Sequence, residues 1–260
     1  MHIAPERAVA QAIAKRGKVL LLDFDGTLSP IVAHADDARI SDAAKQALRI
    51  LVRHIPIAVV SGRPIARVRS LVGVRGLSYA GSHGFETLIA GHYECHVPSR
   101  MKAVFRGVRA ALEPLVAKYP GAYIEDKKFG VAVHYRSVTP RLERALRREA
   151  AHVVDRFVRD GSVRVHDDTK TFDVYPAGSA SKGSAVRSLV RSLGRGGRPL
   201  VVYIGDSMTD EDAFRALSSG LTIRVGYKKG SAARYHFRNR EEVDEFLGLL
   251  AQEIKIEKSI

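Results

Sequence analysis

Short apolar runs alternate with helical patterns along much of the chain. The first run, residues 19–22, lies between Lys18 and Asp23, and four consecutive apolar residues are typical of a strand buried on both faces of a sheet. Further strand-like runs lie at residues 55–60, 77–80, 200–204 and 221–225, and helical patterns lie at residues 42–53, 64–72 and 183–193. Strands that alternate with helices predict a doubly wound α/β domain with a mostly parallel sheet.

Residues 101–178 break this alternation. Helical patterns at residues 101–118 and 140–159 are each followed by two strand-like runs, which lie at residues 122–125, 130–136, 163–166 and 171–175. The order helix, hairpin, helix, hairpin predicts an antiparallel sheet with helices on one face. We therefore expect an α+β unit at residues 101–178, inserted into a larger domain that comprises residues 1–100 and 179–260.

The composition is that of a folded globular protein. The chain has 260 residues, of which 45% are apolar and 27% charged, so a disordered or collagen-like chain is excluded. Its only cysteine, Cys95, permits no internal disulfide, which is typical of a reducing compartment. The ten histidines show no spacing typical of metal ligands, and we expect His83 and His134 to be structural or peripheral. Because no stretch resembles a membrane helix or a signal peptide, we expect a soluble cytoplasmic protein with no membrane partner.

The formal net charge of +14 raises the question of a nucleic-acid partner. Residues 101–178 carry 15 basic and 10 acidic side chains, a net charge of +5 in 78 residues, and the other 182 residues carry the remaining +9. The positive charge is thus spread almost evenly, although no acidic residue lies between Arg224 and Arg240. Since no nucleic-acid module is recognisable, we expect no nucleic-acid partner and interpret the charge as attraction of a small anionic substrate.

Two acidic residues follow the first predicted strand. Asp23 and Asp25 lie two residues apart, so their side chains project to the same side of an extended chain. In an open α/β sheet, ligands bind beyond the carboxyl ends of the strands, and two crowded carboxylates need a cation or a shared proton to offset their repulsion. The alternative is a simple turn, because Asp-Gly-Thr is common in turns. The position at the end of a buried strand favours a metal site.

A second strand end carries the sequence Ser61-Gly62-Arg63. Pro64 is suited to a first helical turn, so the segment also predicts a helix amino terminus. The two interpretations agree, because a serine hydroxyl and free backbone amides at a helix amino terminus form an anion site.

Acidic residues follow a third strand end. Asp206 comes after the strand at residues 200–204 and before the next helix begins. Thr209 and the acids after it, including Asp210, are typical of a helix start in which acids complement the dipole, so each of these acids has a structural alternative. Lys182 has a poorer structural explanation, because a cation just ahead of a helix at residues 183–193 opposes the dipole. We therefore expect an electrostatic partner for Lys182.

In this order, the motifs resemble the four motifs of the haloacid dehalogenase-type phosphatases. They are Asp23-Phe-Asp25-Gly-Thr-Leu, Ser61-Gly-Arg, Lys182-Gly and Gly205-Asp206-Ser-Met-Thr-Asp210. Four further segments look like the trehalose-6-phosphate phosphatase branch of that superfamily: residues 25–32, 81–86, 125–127 with 133–136, and 209–214. The resemblance spans nearly the whole chain. It implies a Rossmann-like catalytic core with residues 101–178 as an α+β cap.

The resemblance also implies an activity, the Mg²⁺-dependent hydrolysis of trehalose 6-phosphate to trehalose and phosphate. Asp23 would be the nucleophile that forms an aspartyl phosphate, and Asp25 would serve as general acid and then as general base. The carboxylate of Asp23 and the backbone carbonyl of Asp25 would bind Mg²⁺ together with Asp206. Asp210 would support this metal site.

Phosphate and sugar would be held by separate groups. The resemblance implies that the phosphoryl oxygens are held by Ser61, Gly62 and Lys182, with Lys182 also counted among the catalytic residues. Recognition of the sugar would fall to Arg63 and to three residues of the cap: Glu125, Lys127 and Asp173.

Two positions depart from the family pattern. Ser207 stands where many relatives have a second aspartate, and Asp173 stands where relatives of this branch usually have a glutamate. The alternatives are a phosphatase of another glycosyl phosphate, such as glucosylglycerate phosphate or sucrose phosphate, a phosphotransferase or mutase, and a non-catalytic sugar-phosphate sensor. In each case the expected partner is a small sugar phosphate, and we expect a monomer or a weak oligomer.

Overall fold

A computed structural model describes residues 1–13, 17–32, 34–168, 170–178, 180–194 and 199–257. The chain divides into two compact units, one formed by Met1–Cys95 with Ala180–Ile260 and the other by His96–Ser179. Among the described residues, no helix is both long enough and apolar enough to span a bilayer.

The larger unit is built on a sheet of eight strands in the order β12-β11-β10-β1-β2-β3-β4-β5. The strands are β1 (Lys18–Asp23), β2 (Ile57–Val60), β3 (Ser78–Gly81), β4 (Glu86–Ile89), β5 (His92–Cys95), β10 (Leu200–Gly205), β11 (Leu221–Val225) and β12 (Tyr235–Phe237). The six strands from β12 to β3 are parallel, and β4 and β5 are antiparallel to their neighbours. The prediction of a doubly wound, mostly parallel sheet is confirmed.

Helices cover both faces of this sheet. They are α1 (Pro5–Ile13), α2 (Asp42–Leu51), α3 (Ile65–Val72), α6 (Lys182–Leu193), α7 (Asp210–Ala216) and α8 (Glu241–Glu257). Because successive side chains of a strand point to opposite faces, Leu20 and Leu22 of β1 pack with α1, α2, α3 and α8. Val19 and Leu21 pack with α6 and α7 on the other face. Burial on both faces explains why β1 is a continuous apolar run in the sequence.

The hairpin of β4 and β5 was not predicted from the sequence. Strand β5 is exposed along its whole length, so its residues show no alternation of apolar and polar side chains. The turn between the strands has positive φ angles at Ala90 (50°) and Gly91 (86°), a backbone that matches the twist of a two-stranded hairpin. Helices α1 and α8 and strand β12 were not predicted from the sequence either.

The smaller unit has a four-stranded antiparallel sheet in the order β6-β7-β9-β8. Its elements are α4 (Met101–Val116), β6 (Tyr123–Lys127), β7 (Gly130–His134), α5 (Pro140–Arg159), β8 (Val163–Asp168) and β9 (Thr171–Pro176). Both helices pack on one face of the sheet, against a core that includes Val131, Val133 and Phe172. The α+β architecture predicted for this part of the chain is confirmed, and the opposite face of the sheet is left to polar side chains.

The sheet core of the larger unit generates a stability prediction. Leu22 is fully buried, and replacing it by alanine removes three carbon atoms from a packed interior. We expect Leu22→Ala to lower the free energy of unfolding by about 2–5 kcal/mol, measured by urea denaturation. Ile256→Ala removes the same number of carbons from a side chain that is 55% exposed, and should change stability by no more than about 0.5 kcal/mol. Equal losses in the two variants would contradict the assignment of Leu22 to the core.

Candidate active site

Polar residues meet where three neighbouring parallel strands end. Strands β10, β1 and β2 are adjacent in the sheet, so their carboxyl ends lie side by side. Asp23 is the last residue of β1, Ser61 follows β2, and Asp206 follows β10. This edge is the expected ligand-binding edge of an open α/β sheet.

A buried cluster of charged side chains lies at this edge. Asp23, Asp206 and Asp210 each offer a carboxylate oxygen within 4.8 Å of the others. The ammonium group of Lys182 donates to Asp23 Oδ1 at 2.6 Å and to Asp210 Oδ1 at 2.7 Å, so the expected electrostatic partner of Lys182 is found twice. Three carboxylates and one ammonium leave a formal charge of −2, a charge suited to one divalent cation.

The cluster changes the pKa values of its members. Burial and repulsion from Asp210 raise the pKa of Asp23 well above its usual value, and the same two causes raise the pKa of Asp206 to about 6. Burial alone would lower the pKa of Lys182, but attraction to Asp210 and Asp23 outweighs it and raises that pKa. Lys182 therefore stays charged. Without a bound cation, the cluster holds more negative charge than its surroundings stabilise.

Asp210 differs from the other two acids because its carboxylate is saturated. Its Oδ1 accepts from Lys182 and, at 2.6 Å, from the Tyr203 hydroxyl. Its Oδ2 accepts from the amide of Asp206 and from both the amide and the hydroxyl of Ser207. Burial would raise the pKa of Asp210, but these donors, Lys182 foremost, lower it. Asp210 thus organises the turn that carries Asp206, and Ser207 takes part in that organisation.

The cluster fits a magnesium ion. Asp206 Oδ1 is buried and has no hydrogen-bond partner among the described residues, and an orphaned carboxylate oxygen is a free ligand atom. Carboxylate oxygens are the ligands that Mg²⁺ prefers. Gly26 leaves the room that Asp206 needs, because a Cβ atom on Gly26 would overlap the Asp206 carboxylate.

Asp25 is held by Arg63. The Arg63 side chain donates through Nε to Asp25 Oδ2 at 2.8 Å and through a terminal nitrogen to Oδ1 at 2.6 Å, a bidentate pair. The guanidinium group also lies over the ring of Phe24, 5.3 Å from the centroid. The Asp25 side chain is 41% exposed, so it is open to solvent while Asp23 is buried.

The segment after β2 offers hydrogen-bond donors. Ser61 is buried, and its hydroxyl oxygen accepts from the amide of Arg63 at 3.1 Å. The amide of Gly62 has no partner among the described residues, and the ring of His83 leaves no space for a side chain at position 62, because a Cβ atom there would lie 2.8 Å from the ring. Helix α3 begins at Ile65 with Pro64 as its N-cap. The expectation that Pro64 lies within the first turn was wrong by one residue.

The remaining predicted site residues lie in the smaller unit, on the face of its sheet that the helices leave open. Glu125 and Lys127 alternate along β6, and Asp173 lies on β9. Lys127 donates to Asp173 at 2.5 Å, and the His134 ring lies 2.6 Å from Glu125 Oε2. These side chains form what we call the polar face of the smaller unit: Glu125, Lys127, His134 and Asp173.

Comparisons with known proteins agree with this geometry. A model of the trehalose-phosphatase family matches residues 21–243. The chain is 37% identical over 269 residues to probable trehalose-phosphate phosphatase 3 of Oryza sativa, covering 94% of this chain and 72% of the relative. The chain belongs to the trehalose-phosphatase family. As a member of that family it is a phosphatase, an enzyme.

A bacterial relative and a solved structure extend the comparison. The trehalose-phosphate phosphatase of Mycobacterium bovis is 34% identical over 256 residues, which cover 95% of this chain and 64% of the relative. The C-terminal domain of trehalose-6-phosphate phosphatase from C. albicans has a TM-score of 0.84, with 96% of this chain and 97% of that chain covered at 24% identity. At that identity the second comparison bears on the fold alone. The haloacid dehalogenase-type fold predicted from the motifs is confirmed.

Three residues that organise the site of this trehalose-phosphatase family member were missed as site residues in the sequence. Tyr203 holds Asp210 from within β10. Glu86 is fully buried and accepts from the amide of Ile65 and the hydroxyl of Ser82, so it fixes the start of α3. Glu211 accepts from Ser231 and from the amide of residue 232. Each contacts a residue seven or more positions away in the sequence, and only Tyr203 lay outside the segments that resemble the family.

Proposed function

We propose that the chain hydrolyses trehalose 6-phosphate to trehalose and phosphate in a Mg²⁺-dependent reaction through an aspartyl-phosphate intermediate. The observation that carries this proposal is Asp23, a buried carboxylate at the end of β1 that shares Lys182 with Asp210 and lies in one acidic cluster with Asp206. Family membership and the names of the relatives support trehalose 6-phosphate as the substrate.

Asp23 is proposed as the nucleophile. Its Oδ1 is occupied by Lys182, which leaves Oδ2 to attack phosphorus while the bond from phosphorus to the sugar oxygen breaks. Lys182 lowers the pKa of Asp23, but burial and repulsion from Asp210 outweigh that effect, so a bound cation would be needed to keep the carboxylate in its anionic, reactive form. The product of this half-reaction is the free sugar and an aspartyl phosphate on Asp23.

Asp25 is proposed as the acid and base. In the first half-reaction it gives a proton to the departing sugar oxygen, and in the second it takes a proton from the water that attacks the aspartyl phosphate. That attack breaks the bond between phosphorus and Asp23 and releases inorganic phosphate. Because Arg63 contacts both Asp25 oxygens, protonation of Asp25 requires one contact to open, and a phosphate dianion competes for the same guanidinium group.

The phosphate group is proposed to bind Ser61, Gly62 and Lys182. The Ser61 hydroxyl and the unpartnered Gly62 amide supply two donors. An ammonium group has three N–H donors, and two of those of Lys182 are used on Asp23 and Asp210. The third is left for a phosphoryl oxygen. Donors fixed in this way stabilise the charge that develops on the phosphoryl group.

Magnesium is proposed to bind Asp23, Asp206 and the backbone carbonyl of Asp25. When bound, the ion neutralises charge on the phosphate so that a carboxylate can approach it. Asp210 supports the site from outside, because its two oxygens already accept five hydrogen bonds.

The sugar is proposed to be recognised by Arg63 and by the polar face of the smaller unit. A phosphate group is the same in every sugar phosphate, so discrimination requires groups that bind the hydroxyls. The polar face offers two carboxylates and a lysine, which accept from and donate to hydroxyls. Asp173, already paired with Lys127, departs from the family pattern and favours one second candidate, a phosphatase of another glycosyl phosphate. The residues 101–178 are accordingly proposed as the specificity unit, and residues 1–100 and 179–260 as the catalytic core.

The function is tested by phosphate release from a panel of disaccharide and glycosyl phosphates. We expect trehalose 6-phosphate to be hydrolysed with the highest kcat/KM, and Asp23→Asn to lower kcat by about three orders of magnitude or more, because it removes the nucleophile. Asp36→Asn is the matched control, since Asp36 is 79% exposed and paired only with Arg67 among the described residues. Full activity of Asp23→Asn would overturn the mechanism, and a higher kcat/KM for another ester would overturn the substrate.

Magnesium binding should depend on pH. Because the pKa of Asp206 is raised to about 6, its carboxyl binds a proton below that pH, and the proton must leave before a metal binds. We expect Mg²⁺ affinity, measured by calorimetry without substrate, to fall by at least about tenfold per pH unit below 6, because the other carboxylate ligand, Asp23, also has a raised pKa. Asp206→Asn should bind Mg²⁺ weakly both above and below pH 6. An affinity that stays unchanged from pH 7.5 to 5 would show that Asp206 is not a ligand.

Substrate choice should depend on the polar face. A hydroxyl bound to a charged group contributes roughly 1.5–3 kcal/mol, about tenfold to more than a hundredfold in discrimination. Glu125→Ala and Asp173→Ala should lower kcat/KM for trehalose 6-phosphate by that factor and leave hydrolysis of a small aryl phosphate nearly unchanged. Asp126→Ala is the control, because Asp126 follows Glu125 on β6, points to the other face and is 64% exposed. Wild-type discrimination against glucose 6-phosphate in both variants would contradict the assignment.

A further inference from the structure

A groove of about 900 Å³ lies at the opposite edge of the same sheet from the acidic cluster. It is lined where β2 begins at Ile57, where β3 begins at Ser78 and where β4 ends at Ile89. All of its lining residues belong to the larger unit. The groove is therefore at the amino ends of the parallel strands, and no residue of the proposed catalytic site lines it.

The charged residues that line the groove are all basic. Arg53, Arg69 and Arg75 line it, together with His54, and no acidic residue of the described ranges does. The three arginines are exposed, and within the described part of the chain their side chains have no ion pair or hydrogen bond. By contrast, Arg63 of the same unit is paired with a carboxylate.

A buried tyrosine adds an unused donor. Tyr79 lines the groove and is 1% exposed. Its hydroxyl oxygen is buried and has no partner in the described residues, which is unusual for a buried polar group. Burial raises the pKa of Tyr79 to about 12, although the charge of Arg69 opposes the change. The hydroxyl therefore keeps its proton at neutral pH and is an unused hydrogen-bond donor.

Helix dipoles do not account for these arginines. Helices α2, α3 and α6 end at Leu51, Val72 and Leu193, close in sequence to lining residues. Each helix end carries about half an elementary negative charge, so three ends offset about half of the charge of three guanidinium groups. A positive excess remains. The dipoles also leave the Tyr79 hydroxyl without a partner.

We propose that this groove binds a small organic phosphate, with the arginines pairing with the phosphate group and the Tyr79 hydroxyl donating to a neutral oxygen of the ligand. A volume of about 900 Å³ is large for a bare phosphate ion and lies within the range of small-molecule sites, about 300–1,000 Å³. The apolar walls, which include Leu77 and Leu88, would contact the body of the ligand. The proposal does not depend on the proposed reaction.

The site can be located by NMR titration of the full chain, labelled with ¹⁵N and kept free of divalent metal. The probes are glucose 6-phosphate, inorganic phosphate and uncharged trehalose. We expect glucose 6-phosphate to shift the amides of Gly73, Gly76 and Tyr79 in a saturable way, and trehalose to leave them unchanged. Inorganic phosphate should bind the groove at least tenfold more weakly than the ester. Equal binding of the two would instead assign the groove to free phosphate.

Variants separate the groove from the acidic cluster. Arg69→Gln with Arg75→Gln should weaken the groove titration at least tenfold and leave the shifts of Asp25 and Ser61 unchanged. Arg144→Gln with Arg148→Gln removes the same charge from exposed positions of α5 and should have no effect on the groove.

Tyr79→Phe keeps the packing of the ring and should weaken binding of the ester severalfold. Two results would overturn the proposal: shifts confined to the carboxyl edge of the sheet, or wild-type groove affinity in the double arginine variant. Both arginines are exposed, so replacing them should leave the fold intact. The groove affinity of the double arginine variant can therefore be interpreted even if Tyr79→Phe folds poorly.

Discussion

The ion pair between Lys182 and Asp23 is the constraint on which the rest of the site depends. Burying charges is costly unless each finds a partner of opposite sign, and the ammonium of Lys182 partners both Asp23 and Asp210. These residues come from the end of β1 and the starts of α6 and α7. One ammonium group therefore ties two helices to the central strand. Its loss would leave two buried carboxylates without a cation, so the local fold and the proposed phosphate site depend on the same residue.

The charge of the same cluster supports the proposal of a metal ion in addition to the lysine. Lys182 neutralises one of three carboxylates, and the raised pKa values of Asp23 and Asp206 report the charge that remains. Donors already occupy both oxygens of Asp210. The free ligand atoms are therefore on Asp23 and Asp206. The hydroxyl of Ser207 donates to Asp210. A second aspartate at this position would instead add repulsion.

Much of the fold could be predicted from the sequence, because strands buried on both faces are continuous apolar runs. The strand ends then identified Asp23, Ser61 and Asp206 as neighbours. Contacts between distant residues could not be predicted in the same way. Tyr203 lies in a strand that is otherwise apolar in the sequence. Its hydroxyl donates to Asp210, the first residue of a helix that begins seven residues later, and the strand pattern does not predict that contact. The hairpin of β4 and β5 left no apolar signal, because β5 is exposed.

The role of a basic residue in this chain depends on whether it is paired with an acidic residue in the folded structure. Arg63 and Lys182 are paired with acids at the carboxyl edge of the sheet, so an incoming anion must compete with a carboxylate there. In the proposed reaction such competition would be useful, because a phosphate that engaged Arg63 would also free Asp25. At the amino edge, Arg69 and Arg75 have no such competitor among the described residues. An anion that binds there displaces no carboxylate from these arginines. This arrangement suits a site that binds a ligand without reacting with it. In the folded sheet, the evenly distributed charge therefore includes paired cations at the carboxyl edge, Arg63 and Lys182, and arginines in the groove at the amino edge that have no partner among the described residues.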